Sequence, residues 1–147
     1  MSNDPAKLWA RDRGNTPIGR DYFAGLGILV VGDDPLFRWA VKEVLTLAGH
    51  TVSSTTADLH PIRAAVDSCI PDVIVVMQCA LPERQGTVIR FLRAAAPMSA
   101  IVVVLPDNLR ETRFGAMRAG ATRLLTDPVD MRALPAAVLG AQRCRPI

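Results

Sequence analysis

The sequence predicts an α/β protein in which five parallel strands form one sheet with helices on both faces. Two observations carry this prediction. Strand-like and helix-like segments alternate five times along the chain, and such alternation produces a parallel sheet with right-handed crossovers. The runs ILVV at 28–31 and AIVVVL at 100–105 are apolar without interruption, which is typical of strands covered on both faces.

The elements follow one another from residue 27 to about residue 142. Asp34 suits an N-cap and Pro35 the first helical position, and Gly49 suits the end of that helix. The later segments are a polar edge strand at 51–55, a helix at 59–69, a strand after Pro71, a helix at 87–95, a strand at 100–105, a helix at 109–119, a strand at 122–125 and a helix from 130 to about 142. Pro135 would remove a helical hydrogen bond, so the last helix is expected to start late or to kink. Five strands suggest the flavodoxin-like, doubly wound order 2-1-3-4-5.

Length and composition favour a single domain in a reducing compartment. The 147 residues are half hydrophobic, which is enough for one sizeable core. The net charge of +3 is mild and the basic residues are scattered, which does not favour nucleic acid as a partner. Three cysteines without a CxxC pair argue against a disulfide framework or a zinc site, and therefore favour a cytoplasmic protein. No apolar run approaches the length of a membrane span. His50 and His60 are expected to be surface turn residues.

Residues 1–26 differ from the rest and are expected to form an N-terminal extension to a domain at 27–147. They mix charges, Pro and Gly with little periodicity, which is typical of a partly disordered leader. Trp9, Tyr22 and Phe23 are unusual in such a segment. A second interpretation therefore stays open, in which these aromatic side chains dock on the domain or on a second copy. The tail after residue 142 is too short for an output domain.

Three stretches resemble the receiver domain of bacterial two-component response regulators. They are ILVVGDDPLFRWAVKEVLTLAGH, PDVIVVMQCALPERQG and MRAGATRLLTDPVD, and the resemblance covers about residues 27–142. It implies a CheY-like fold and a role in signal transduction or a phosphorelay, and not an enzyme. A receiver places two acids after the first strand to hold Mg²⁺ and a phosphate-accepting Asp after the third. In the same family, a Thr or Ser stands at the end of the fourth strand. The fifth strand carries an aromatic switch residue and is followed by a Lys that precedes a Pro.

The resemblance assigns most of these functions to residues of the wrong chemistry. In chain order the positions are Gly32 and Asp33 for the metal-binding acids with Asp34 beside them, Gln78 or Met77 for the acceptor, Leu105 or Pro106 for the hydroxyl, Leu124 for the aromatic switch and Asp127 for the Lys. An amide or a thioether cannot form an acyl phosphate. We therefore expect the acceptor chemistry to be lost.

The metal site is expected to be lost as well, leaving no cofactor. Asp33 is the only remaining candidate ligand, and Mg²⁺ prefers several oxygen ligands. Asp127 would add negative charge beside Asp33, which favours protonation of one of the two carboxylates. Arg84 and Arg110, expected on loops at the same edge, are candidates to neutralise this pair.

The leading interpretation is a single-domain pseudo-receiver that acts in two-component signalling by phosphorylation-independent protein–protein interaction. Two alternatives stay open: a receiver phosphorylated unconventionally at Asp33 or Asp34, and a flavodoxin-like fold reused to bind a small ligand. The expected partner is a sensor histidine kinase, another regulator or a second copy in a homodimer. A basic interaction face, which favours an acidic partner, is expected at Arg110, Arg113, Arg118, Arg123 and Arg132.

Overall fold

The computed structural model of the protein describes residues 25–77, 82–105, 110–126 and 129–143, apart from the side chains of Pro82 and Glu83. Among the predicted site residues, Gln78, Pro106 and Asp127 lie outside these ranges, as does the predicted extension up to residue 24. Within the described ranges, no helix is both long enough and apolar enough to cross a membrane.

Five parallel strands form one sheet. They are β1 (Gly27–Val31), β2 (Thr51–Thr55), β3 (Val73–Val76), β4 (Ala100–Leu105) and β5 (Arg123–Thr126). Their order in the sheet is β2-β1-β3-β4-β5, which confirms the predicted topology. The register aligns Val31 with Val76 and Val76 with Val103, so the carboxyl ends of the central strands meet at one edge of the sheet.

Helices cover both faces of the sheet and create two separate cores. On one face lie α1 (Pro35–Leu47) and α5 (Leu134–Arg143), and on the other lie α2 (Leu59–Cys69), α3 (Pro82–Ala95) and α4 (Arg110–Ala119). Successive residues of a strand point to opposite faces. Accordingly Val30 and Val75 pack towards α1 and α5, whereas Leu29 and Ile74 pack towards α2 and α3. This explains why the central strands are apolar at every position.

The first helix begins as the sequence predicts. The Asp34 carboxylate accepts hydrogen bonds from the backbone N–H groups of Leu36 (3.0 Å) and Phe37 (3.4 Å), which satisfies donors that the helix itself leaves unpaired. Pro35 occupies the first turn. Gly49 follows the helix with a φ of 100°, a left-handed conformation that glycine adopts without strain.

Proline residues lie at the starts of two other helices. The third helix starts at Pro82 and not at residue 87, so Gly86 lies inside it. Pro fits a first helical position because its missing N–H would be unpaired there in any case. The last helix starts late, at Leu134, which was one of the two outcomes expected from Pro135. A turn precedes it, in which Asp130 accepts from the N–H groups of Arg132 and Ala133.

The prediction for the two histidines is wrong in part. His60 is exposed but lies in the first turn of α2. His50 accepts a hydrogen bond at Nδ1 from the backbone N–H of Leu26, 24 residues away, at 3.0 Å. Burial lowers the pKa of the His50 imidazole, and this favours the neutral form, which is the form that can accept. His50 thus ties the entry of β1 to the start of β2.

The end of α2 is strained. Its C-cap, Ile70, has a φ of 44° and a ψ of 68°. A β-branched side chain in this left-handed region is a genuine outlier, and the conformation costs about 1 kcal/mol relative to the right-handed one. Gly or Asn is the usual residue at such a helix end.

Candidate functional site

The edge formed by the carboxyl ends of the strands is where ligands bind in open α/β sheets, and it carries the predicted acidic residues. Gly32, Asp33 and Asp34 form the loop between β1 and α1. The Asp33 carboxylate accepts a hydrogen bond from the Ala57 N–H at 3.3 Å. The Asp34 carboxylate caps α1, as described above. Both carboxylates that remain of the predicted acidic pocket therefore bind backbone N–H groups of the protein.

The space beside Gly32 is filled by hydrocarbon. A Cβ atom added at Gly32 would lie 2.7 Å from both Cβ and Cγ of Met77, a distance that real side chains essentially never show. Met77 is only 2% exposed, and its backbone N–H continues the ladder by donating to the Val31 carbonyl at 2.7 Å. Above this contact, Arg38 Nη1 donates to the Gly32 carbonyl at 2.6 Å. Gly32 is thus a position that admits no side chain unless Met77 moves.

A buried amide that the sequence analysis missed lies beneath the same edge. Gln85 is only 7% exposed, and its Nε2 donates to the carbonyls of Val104 (3.1 Å) and Met77 (3.4 Å). The side chain therefore joins the carboxyl ends of β3 and β4. Pro82 followed by Glu83 suits a helical first turn and could have shown that the helix starts before Gln85, but it does not signal the burial of the Gln85 side chain.

The two Arg residues expected to neutralise an acidic pair, Arg84 and Arg110, have different surroundings. Arg84 belongs to α3, where its Nη2 donates to the Ala57 carbonyl at 2.9 Å and contacts the Asp58 carboxylate at 3.2 Å. Arg110 begins α4 and lines a groove on the outside of that helix. Arg84 thus secures the loop after β2, and neither Arg lies on a loop as predicted.

The other predicted site positions differ in how far they are exposed. Leu105 is fully buried in the core beneath α3 and α4, and Met77 is buried in the opposite core. Leu124 is half-buried on β5. Among the described residues, no group of three His, Cys, Asp or Glu side chains lies close enough together to hold a metal ion.

The predicted basic residues largely converge on one surface, the α4–β5 face. Here a groove of about 760 Å³ lies between α4 and β5, and its lining is Arg110, Arg113, Phe114, Met117, Thr122, Arg123 and Leu124. Phe114 is 62% exposed although it is a large apolar residue. The Arg118 guanidinium lies 5.6 Å from the centre of the Phe114 ring, within the range of a cation–π contact. The face combines the exposed apolar side chains of Phe114 and Met117 with positive charge.

Arg132 is not part of this groove. It lies in the turn before α5, where its Nε is 3.6 Å from the Asp130 carboxylate and its side chain is almost fully exposed. The sequence alone did not show that Arg132 lies away from the other four arginines, because its position depends on where α5 begins. Four of the five predicted arginines therefore lie on or beside the α4–β5 face.

Curated relatives of the chain are regulators. The chain is 30% identical over 125 residues to the transcriptional regulatory protein TcrA of Mycobacterium tuberculosis, which covers 84% of this chain and 49% of that protein. It is 29% identical over 120 residues to the regulatory protein VirG of Rhizobium radiobacter, which covers 81% of this chain and 44% of that protein. The chain therefore spans about half the length of these relatives.

Solved structures share the fold. Chemotaxis protein CheY4 of Vibrio cholerae matches with a TM-score of 0.72 and 21% identity, over 80% of this chain and 99% of that chain. A CheY-like receiver domain protein of Methanospirillum hungatei matches with a TM-score of 0.71 and 19% identity, over 82% and 95% of the two chains. The family model described as the response regulator receiver domain matches residues 28–139, which run from the second residue of β1 into the first half of α5. The chain belongs to the receiver domain family of two-component response regulators.

Proposed function

We propose that this chain is a pseudo-receiver, which keeps the receiver fold, takes no phosphoryl group in its pocket and acts in two-component signalling by binding another protein. The observation that carries the proposal is the contact between Gly32 and Met77. A receiver holds Mg²⁺ between acidic side chains at this edge, whereas here a thioether side chain lies 2.7 Å from where any Cβ at Gly32 would stand. Hydrocarbon in that position cannot bind a hard cation.

The burial of neighbouring residues supports the same proposal. With Met77 in the core, Gln78 is the better match to the acceptor position, and its amide cannot form an acyl phosphate. Likewise Leu105, whose side chain is fully buried, offers neither exposure nor a hydroxyl to a phosphoryl group. Asp127 would oppose an incoming phosphate by its charge.

The alternative acceptors are poorly placed for nucleophilic attack. Asp34 already accepts two N–H groups as the cap of α1, and phosphorylation there would disrupt the start of that helix. Asp33 accepts from the Ala57 N–H, and Gly32 beside it supplies no carboxylate for Mg²⁺, which prefers several oxygen ligands. We therefore favour phosphorylation-independent binding over unconventional phosphorylation.

The α4–β5 face is the proposed binding surface, and its chemistry selects the partner. The groove lining contains three arginines and no acidic residue among the described residues. A positive patch favours a negative partner and disfavours like charge by several kcal/mol. The partner that fits is therefore an acidic segment with apolar side chains to cover Phe114 and Met117, on a sensor kinase or another regulator.

Homodimerisation stays a prediction, but the groove restricts how it would occur. A two-fold interface places the same patch of both subunits together. Pairing of two α4–β5 faces would then bring Arg110, Arg113 and Arg123 towards their own copies. A homodimer of this chain is therefore expected to use another surface.

Binding by the full chain tests the proposal. Proteins captured by the immobilised protein are compared with those captured by the charge-reversal variant Arg110→Glu/Arg123→Glu and by the matched control Arg90→Glu/Arg132→Glu. The partner should be lost only with the first variant. After purification, it should bind the unmutated chain with the same Kd whether or not acetyl phosphate and Mg²⁺ are present. Binding that requires the phosphoryl donor, or that survives reversal of the groove, would contradict the proposal.

A further inference from the structure

A second groove, the α3–α4 groove, lies between those two helices and reaches Leu105, the last residue of β4. Its volume is about 320 Å³, at the lower end of the range for small-molecule sites. It lies on the other side of α4 from the α4–β5 face, because Glu111 and Gly115 line this groove whereas Phe114 and Met117 line the first one. The proposed function makes no use of the α3–α4 groove, and its volume suits a small metabolite.

Two glycines inside the helices keep this groove open. Gly86 lies in α3 and Gly115 in α4, and both line the groove. In the described part of the chain, a Cβ added at Gly115 would meet nothing within 4 Å, and one added at Gly86 would meet only the guanidinium nitrogens of Arg90, at 3.6 and 3.9 Å. Glycine inside a helix is less favourable than alanine. Neither glycine is therefore required by packing, and what both provide is open space.

The buried part of the groove lining contains an acceptor for a hydrogen bond. Gln85 lines the groove and is only 7% exposed. Its Nε2 donates to the carbonyls of Val104 and Met77, which fixes the orientation of the amide and leaves Oε1 at its other end. No described residue donates a hydrogen bond to this oxygen, and a buried acceptor favours a donor. The other buried lining residues are apolar, namely Ile89, Leu105 and Ala116.

The two sides of the groove carry opposite charges. Arg90 belongs to α3, with its guanidinium turned towards Gly86, and Glu111 belongs to α4. Both side chains are exposed, and within the described ranges neither of them forms an ion pair. A small molecule that bridges them needs a carboxylate for Arg90 and an ammonium group for Glu111. The ligand chemistry that fits both sides is therefore zwitterionic.

We propose that the α3–α4 groove binds a free α-amino acid whose uncharged side chain ends in an N–H or O–H donor. The carboxylate of this ligand pairs with Arg90 and its ammonium group with Glu111, while its side chain enters between Gly86 and Gly115 and donates to Gln85 Oε1. An ionised acidic side chain is excluded, because it carries only acceptors and would face another acceptor. The inference does not depend on the proposed function, since the two grooves lie on opposite sides of α4.

An NMR titration of the full chain with L-glutamine, L-asparagine, L-serine and L-threonine tests this binding. At least one of them should give a saturable shift of the Gln85 side-chain amide and of the backbone resonances of Gly86 and Gly115 at millimolar concentration. Each ligand has a matched compound that lacks the donor: L-glutamate, L-aspartate, L-alanine and L-valine, respectively. The matched compound should bind at least about tenfold more weakly, because it leaves Gln85 Oε1 without a donor.

Variants of the lining separate this site from binding elsewhere on the surface. Gly115→Leu places a side chain in the groove and should abolish the shifts, whereas Ala94→Leu adds an apolar side chain at an exposed position of α3 outside the groove and should not. Arg90→Gln and Glu111→Gln are surface changes that should each weaken binding about tenfold. Lys42→Gln, an exposed change on α1, is their control and should leave binding unchanged.

The results that would overturn the proposal are specific. They are the absence of a saturable shift with all four donor amino acids, equal binding of a donor and its matched compound, and unchanged binding in both Arg90→Gln and Glu111→Gln. Unchanged binding in a Gly115→Leu protein that keeps its thermal midpoint would place the ligand elsewhere and overturn it as well. Arg90→Glu should weaken amino-acid binding and leave partner binding at the α4–β5 face intact, so failure at one site is distinguishable from failure at the other.

Discussion

The carboxyl edge of the sheet and the α4–β5 face differ in how their side chains are used. At the edge, the described polar side chains of Asp34 and Gln85 are engaged within the protein, because Asp34 caps a helix and Gln85 joins two strands. The apolar side chain of Met77 fills the space beside Gly32. On the α4–β5 face, Phe114, Arg110 and Arg123 are exposed at the surface. A receiver normally couples chemistry at the edge to binding at the face. In the proposed function, the edge of this chain serves stability and the face serves recognition.

The largest effect is expected from restoring an acid at the edge. Gly32→Asp forces a side chain against Met77, and overpacking together with a buried carboxylate should lower the free energy of unfolding by about 3 kcal/mol. Urea denaturation measures this. Gly32→Asp/Met77→Ala should recover part of the loss, because it clears the space.

The matched control for this prediction is Gly115→Ala. An added Cβ at Gly115 meets nothing within 4 Å, and Ala in a helix is more favourable than Gly by up to about 1 kcal/mol. Gly115→Ala should therefore be stabilising while Gly32→Asp is destabilising. A Gly32→Asp protein as stable as the unmutated one would show that the edge is not filled.

A smaller effect is expected at Gln85. Gln85→Leu keeps much of the volume but leaves the carbonyls of Met77 and Val104 without their donor, which should cost about 2 kcal/mol of unfolding free energy. Arg90→Leu, an exposed change on the same helix, should stay within about 0.5 kcal/mol. Equal urea midpoints for the two variants would contradict a role for Gln85 in joining β3 and β4.

Some of these features follow from residues close together in the chain, and others depend on contacts between residues far apart in it. The apolar strands and the Asp34–Pro35 helix start were readable, because each depends on residues close together in the chain. The inward turn of Gln85 was not, since a buried polar residue breaks the hydrophobic pattern that marks a helix. The sequence predicts that Gly32 stands where a receiver has an acid, and this stays a prediction. The contact between Met77 and the space beside Gly32 could not be predicted, because it depends on the register between β1 and β3. The role of His50 likewise depends on a partner 24 residues away.

A pH effect is expected from His50. Its folded pKa is lowered by burial, so the unfolded chain binds a proton more readily than the folded one. The free energy of unfolding therefore rises with pH across the window from the lowered pKa up to 6.5, the ordinary value, and falls on acidification through that window. Thermal midpoints measured between about pH 5 and 7 should show this dependence. His50→Gln should weaken it and His60→Gln should not; identical profiles would remove His50 as the cause.

The smallest effect on stability is expected at the α4–β5 face. Arg110→Glu/Arg123→Glu should change the unfolding free energy by no more than about 0.5 kcal/mol per residue, because both side chains lie at the surface. The same variant should abolish partner binding. A large loss of stability would mean that the face is structural, and the contrast with the carboxyl edge would fail.

The most direct measurement of the central claim is the intact mass of the unmutated full chain after incubation with acetyl phosphate and Mg²⁺, beside a conventional receiver as a positive control. If the chain is a pseudo-receiver, the control gains a phosphoryl group and this chain does not. An added phosphoryl group mapped to Asp33, Asp34 or any other residue of the pocket would contradict it.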